Sequence, residues 1–174
     1  VHALRYFGAL KGTDATASVK PLLSHASWRV RAEAAQVFGN QLKSNRYGGA
    51  VSTATSEAQK TLETMLDDAD PFVVGRTLEA LQSVQVKIDP LLKAVERHPQ
   101  LAATVARRLV TAPPAERTAA VDQLKRYQKH ASADVRAAAI NGLWQIDNDG
   151  ALEPLREAFG DQDSRVRVAA AEAF

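Results

Sequence analysis

Four histidines and two groups of aspartates are the side chains of this chain that could hold a metal, and neither set has the spacing that metal chemistry needs. His25 and His130 occupy equivalent places in a repeating pattern, which sets them roughly 30 Å apart when helix layers stack at about 8–10 Å. They cannot share an ion. A histidine closing a helix, favourable to the negative end of its dipole, accounts for both, and for His98 before Pro99. Asp67, Asp68 and Asp70, and Asp147 with Asp149, resemble the start of a calcium loop. Counted from Asp68, however, the obligatory glycine falls on Val73, and counted from Asp147 it falls on Leu152, so these acids are read as helix caps and turn residues. No glycine run forms a phosphate-cradling loop, no serine sits in an elbow motif, and nothing brings nucleophile, base and oxyanion donor together. The expectation is a non-enzymatic chain with no catalytic residues, no metal and no cofactor.

Charge and composition narrow the partners. Lysine and arginine exceed aspartate and glutamate by 22 to 20, and a net charge of +2 is too weak a field to imply a polyanionic partner by itself. Paired basic residues keep nucleic acid open as an alternative: Arg107–Arg108, Lys125–Arg126 with Lys129, Arg29 with Arg31, and Arg165 with Arg167. Zero cysteines exclude disulfides, thiol chemistry and Cys-ligated zinc. No apolar run approaches the roughly 18 residues that span a bilayer, so the chain is read as soluble and without membrane insertion, with the cytoplasm favoured. It opens on "VHALRYF" and stops at "AAAEAF" within a helical pattern, which reads as an excerpt of a longer protein.

The elements that position these residues repeat. Val30, Val73, Leu101, Val135 and Val166 are separated by 43, 28, 34 and 31 residues. Four residues after each stand Ala34, Thr77, Val105, Ala139 and Ala170, and eight after stand Phe38, Leu81, Leu109, Leu143 and Phe174. That spacing is one face of a helix. Val37, Ala80, Gly142 and Ala173 join it at the seventh position, where Arg108 breaks the column. Ala3, Tyr6 and Phe7 match the same template in an earlier, partial helix. Upstream of each helix, Val19, Leu62, Leu124 and Leu155 lie eleven residues before the reference position, and Leu23, Leu66 and Phe159 seven before. Each unit is therefore two amphipathic helices. Asp70–Pro71 reads as an N-cap followed by proline at the first helical position, with Ser132 or Asp134 and Asp163 or Ser164 as the equivalent caps. Alanine-rich second helices have thin faces, so a unit too small to bury its own apolar side can stack closely on its neighbours.

The stretches "DPFVVGRTLEAL", "ADVRAAAINGL" and "DSRVRVAAAEAF" resemble the second helix of HEAT repeats, particularly the short bacterial HEAT-like type also found in phycobilin lyases. The resemblance covers the whole chain and implies an all-α, right-handed α-solenoid of about five helix pairs, a single array over 1–174. It also implies that an aspartate before the reference valine and an arginine after it link adjacent repeats, which carries onto Asp134 and Arg136, and onto Asp163, Arg165 and Arg167. Val74 and Ala102 occupy the arginine column in the central units, so those lack the link. No His-Glu dipeptide occurs, so the resemblance gives no support to the di-iron hydroxylases built on such repeats.

The function expected is a protein-interaction or scaffolding segment whose second helices line a curved face. Its outward positions, three and six residues after the reference, are Glu33 and Gln36, Arg76 and Glu79, Thr104 and Arg107, Ala138 and Asn141, and Ala169 and Glu172. That surface is mixed in charge and suits a polar protein partner better than a nucleic acid. Trp28 and Trp144 are read as packing residues. Residues 43–55 are read as an inserted loop whose tip, Arg46 and Tyr47 beside Gly48–Gly49, has the composition of a contact. The alternatives are a nucleic-acid-binding solenoid and an accessory, bilin-lyase-like segment of a larger enzyme.

Overall fold

A computed structural model describes residues 17–45 and 53–173, and every regular element among them is helical. The chain divides into two compact units, residues 1–86 and 87–174. In the first, a short 3-10 segment, Lys20–Ser24, precedes α1 (Trp28–Asn45), α2 (Thr53–Thr64) and α3 (Pro71–Ala80). Helices α1 and α3 lie side by side, and α2 packs against α1. The second unit holds α4 (Ile88–Arg97), α5 (Ala102–Leu109), α6 (Arg117–Tyr127), α7 (Ala133–Ile146), α8 (Leu152–Phe159) and α9 (Ser164–Ala173). There α5, α7 and α9 form one layer, each backed by the preceding helix of its pair. This is the packing of a helical-repeat solenoid.

The helical periodicity read from the sequence is the core. Ala34, Thr77, Val105, Ala139 and Ala170 are all 0% exposed, although Thr77 is polar. Its hydroxyl survives burial by donating to the Val73 carbonyl one turn back, 2.8 Å away. Phe38, Leu81, Leu109 and Leu143 close the same face, while Val19, Leu62, Leu124 and Leu155 supply the opposing side from the first helices and the segment before α1. The pattern weakens at its margins. Val30, Leu101 and Leu23 are only partly buried, and Phe159, expected inside, is 46% exposed. Ala138 and Ala169, expected to face outward, are instead buried, because the alanine-rich helices approach so closely that the third position is drawn into the contact.

Two of the three caps expected from the sequence are made. The Asp70 carboxylate accepts the Phe72 N–H at 2.9 Å and Asp163 accepts that of Arg165 at 2.9 Å, each satisfying an amide that the helix start leaves open. Ser132 precedes α7 but makes no capping bond with its side chain. Residues 43–45 and 53–55, read as parts of a loop, are helical, since α1 runs to Asn45 and α2 begins at Thr53. Arg46 and Tyr47, like the leading Ala3, Tyr6 and Phe7 and the closing Phe174, lie outside the described residues.

Thin faces are most demanding at Gly39. A Cβ there would stand 2.6 Å from the Ala80 Cβ and 2.7 Å from its Cα, so α1 and α3 touch almost backbone to backbone. At Gly142 the nearest atoms are the Leu124 methyls, at 3.1 and 3.2 Å, which can rotate away. Alanine favours a helix interior by about 1 kcal/mol over glycine, but overpacking against fixed backbone costs about 1–3 kcal/mol. Gly39→Ala is therefore expected to lower stability in chemical denaturation despite its better propensity, and Gly142→Ala to be close to neutral.

Candidate functional site

Three arginines at one register, the residue after the reference valine, organise the turns. Arg31 sends Nη1 to the carbonyls of His25 and Ala26 at 2.9 and 3.1 Å. Arg136 does the same to His130 and Ala131, both at 2.9 Å, and Arg167 to Asp161 and Gln162 at 2.8 and 3.1 Å. These carbonyls lie at the end of a first helix or in the turn after it. In two cases the other edge of the guanidinium grips a carboxylate from the following pair. Arg31 Nε and Nη2 meet Asp68 at 2.7 and 2.9 Å, and Arg136 meets Asp161 with both contacts at 2.8 Å. Each aspartate also accepts the N–H two residues on, from Asp70 or Asp163, at 2.8 Å. One planar group thus fastens its own turn and the next.

These clasps are half sunk in the protein, with side-chain exposures of 17% and 10% for Arg31 and Asp68 and 9% and 15% for Arg136 and Asp161. Their polar atoms are nevertheless satisfied, so the desolvation cost is offset by paired, charge-assisted hydrogen bonds. The Arg136 bond holds the Asp161 carboxyl below its usual range, aided by the Asp163 N–H, and the same bond raises Arg136. Asp68 likewise raises Arg31.

The clasp revises the expected link between repeats. Arg136 links adjacent pairs as the resemblance implied, through Asp161, and Arg31 does the same through Asp68. Asp134 also joins adjacent pairs, as expected, but through the exposed Arg165 guanidinium at 2.7 Å, while Asp163 caps its own helix and Arg167 binds the turn carbonyls of Asp161 and Gln162. Arg165 also holds Asp163, whose carboxyl it pulls strongly down. A signal was present in the sequence: Asp68-Ala69-Asp70 and Asp161-Gln162-Asp163 share a spacing, and each follows a pair that carries arginine in the column. His25 and His130 occupy the place of those acids. Their Nδ1 atoms accept the Ser27 and Ser132 N–H at 2.9 and 3.0 Å. The two histidines, each following a first helix, thereby also pin the turn before a second helix.

The predicted surface residues fall on the second helices. In the first unit Glu33 and Gln36 on α1 are partly buried, and Gln36 donates to Asn40 at 3.3 Å. Arg76 and Glu79 on α3 pair with each other at 2.6 Å. In the second, Arg107 on α5 is exposed and reaches Thr104 at 3.3 Å, Asn141 on α7 is partly buried, and Glu172 on α9 is exposed. At the opening turns of α1 and α3, Trp28 packs edge-on against Phe72 at 5.0 Å, with Arg29 over its ring at 4.6 Å. The basic pairs do not form a free stripe: Arg31 is clasped, Arg165 is ion-paired, and Arg108 is buried, where desolvation lowers its pKa. Two open clefts, of about 360 and 180 Å³, adjoin the clasped Asp68 and Asp161. Among the described residues no group of three or more His, Asp or Glu side chains converges as a metal site would require.

Helix pairs fastened turn to turn by buried arginines define a helical-repeat protein. Residues 121–174 match the family model of HEAT repeats. HEAT repeats are in general protein-interaction scaffolds and typically non-enzymatic. The fold is similar to the crystal structure of an engineered protein, a Northeast Structural Genomics Consortium target, with 18% identity and a TM-score of 0.57 over 99% of this chain and 87% of that one. No curated protein matches the sequence. Among the described residues no helix is long and apolar enough to cross a membrane.

Arg136→Met strips a charge from a half-buried carboxylate and two turn carbonyls, and is expected to cost about 2–3 kcal/mol. Arg165→Met, on the exposed pair, should cost much less in the same denaturation series. Acid should act through the same clasp. A carboxylate whose pKa is lowered on folding contributes stability above its unfolded value, near 3.8, and loses it as pH falls through the folded one. Stability is thus expected to decline below that value, and Asp161→Asn to shallow the decline in an acid titration followed by circular dichroism.

Proposed function

We propose that the chain is a non-catalytic interaction segment that presents the outward faces of its second helices to a polar protein partner. The observation that carries this is the fate of its cations. Arg31, Arg136 and Arg165 are held by internal aspartates, while the outward positions keep a mixture of Arg76, Glu79, Arg107, Asn141 and Glu172. A phosphate backbone calls for one sign of charge along a groove; a mixed, hydrogen-bonding surface fits the rim and polar contacts of a protein interface. Rigidity supports the same reading, because turns fastened by clasps hold these side chains in place before a partner arrives and reduce the ordering cost of binding.

The test is affinity capture from source lysate with the wild-type chain beside an Arg76→Glu, Arg107→Glu variant of unchanged circular dichroism, scored for protein and nucleic acid at low and moderate salt. The expected outcome is a protein retained by wild type and reduced about tenfold or more by the variant, as truncating a central contact does. Retention of nucleic acid that disappears with salt, or of protein indifferent to both substitutions, would contradict the proposal.

A further inference from the structure

The residue before each reference valine stands at the opening turn of a second helix. In the second unit that position is satisfied from within, because Asp134 on α7 and Arg165 on α9 pair with each other at 2.7 Å. In the first unit it is held by Arg29 on α1 and Phe72 on α3, a cation and an apolar ring that cannot pair as ions. They are joined through Trp28. Its ring meets Phe72 edge-on at 5.0 Å and carries the Arg29 guanidinium over its face at 4.6 Å.

Phe72 is 53% exposed, Arg29 is exposed and Trp28 is partly buried. Helices α1 and α2 precede α3 in the chain and α4 to α9 follow it, so the exposure of Phe72 is not that of a terminal helix. Stacking occupies the face of a guanidinium and leaves its edges, where the N–H groups lie, open. Among the described residues no carboxylate takes those N–H groups of Arg29. Helical spacing sets Arg76 and Glu79, four and seven residues on, along the same side of α3 as Phe72, and Glu33 and Gln36 along the same side of α1 as Arg29. The aromatic pair therefore closes one end of the outward face. Arg76 and Glu79 offset each other at 2.6 Å and Asp70 is engaged as the cap of α3, so Arg29 sets the sign of charge at the rings.

We infer that Trp28, Phe72 and Arg29 form the anchor of the outward face, and that they take a segment of a partner protein carrying a bulky apolar side chain beside a carboxylate. The inference rests on the reading of that face as a protein-binding surface and adds the chemistry of its occupant. Charge complementarity selects it. The open edge of the guanidinium matches a carboxylate in bidentate geometry, and the ring that Phe72 exposes is covered by an apolar group, as the centre of an interface within a polar rim requires. A phosphate backbone supplies the anion without the apolar group, and a lysine-rich segment meets Arg29 with like charge.

The test uses short synthetic peptides with a central phenylalanine flanked by glutamate, by lysine or by serine, together with the glutamate peptide carrying alanine in place of phenylalanine. Each is titrated into the full chain carrying Trp144→Phe, so that tryptophan emission reports Trp28 alone, with calorimetry on the unsubstituted chain as a second readout. The expected result is saturable binding of the glutamate peptide with phenylalanine, about tenfold or more tighter than any other, and weakened about tenfold or more by Phe72→Ala and by Arg29→Gln. Arg29→Glu should move the preference to the lysine peptide. Circular dichroism should be unchanged in all three variants, since the substituted side chains are exposed. Binding of none of the peptides by either readout, a preference of the unsubstituted chain for lysine, or binding indifferent to Phe72→Ala would overturn the inference. Its failure is separable from that of the wider reading: a captured protein that responds to Arg76→Glu with Arg107→Glu but not to Phe72→Ala keeps the surface and rejects the anchor.

Discussion

The structure depends on a guanidinium that is shared between two turns. A helix pair of some thirty residues cannot bury its own apolar side, and must be held against a neighbour in one register. Alanine faces permit close approach but specify register poorly, because small side chains interlock weakly. The clasp supplies what they lack. Arg31 and Arg136 each bind two carbonyls at the close of one first helix and both oxygens of an aspartate in the next turn, so a slip by one residue would leave half-buried charges unpaired.

Packing and polarity are divided by position along each second helix. The fourth and eighth residues, with most of the reference residues, build the core, the first and fifth in the clasped pairs meet the following pair, and the sixth is exposed or partly so. Buried alanines such as Ala34, Ala35, Ala139 and Ala170 bring the layers close enough for the clasps to span. With arginines such as Arg31 and Arg136 drawn inward to the joints, the outward surface keeps a mixed charge, and this separation is what supports the proposed role in binding protein.

Much of this was legible in the sequence, because helical periodicity is a direct consequence of burial and survives in a single chain. The columns through Ala34 and Phe38, or Ala139 and Leu143, identify the core without any structure. Two of the linking acids were not legible, for a physical reason. Asp134 and Asp163 lie nearest the clasp arginines in sequence, while the true partners, Asp68 and Asp161, lie 37 and 25 residues away and meet them only after the pairs stack. The histidines were legible only in part, since a residue after one helix and before the next can serve both ends, and their contacts with the Ser27 and Ser132 amides appear only in the folded turn. The second-helix face was less legible again: that Ala138 and Ala169 are buried depends on interhelical distance, which one strand of text does not carry.

The most direct measurement is native-state hydrogen exchange at the amides of Asp70 and Asp163. Both lie in turns, where exchange is ordinarily fast, yet each donates to a carboxylate held by a clasp arginine. If the clasps fasten the pairs, these two amides exchange as slowly as core amides of the same unit, with matching denaturant dependence. Exchange at the rate of an open turn, while the helices on either side stay protected, would show that the arginines decorate a stack held by its alanines alone.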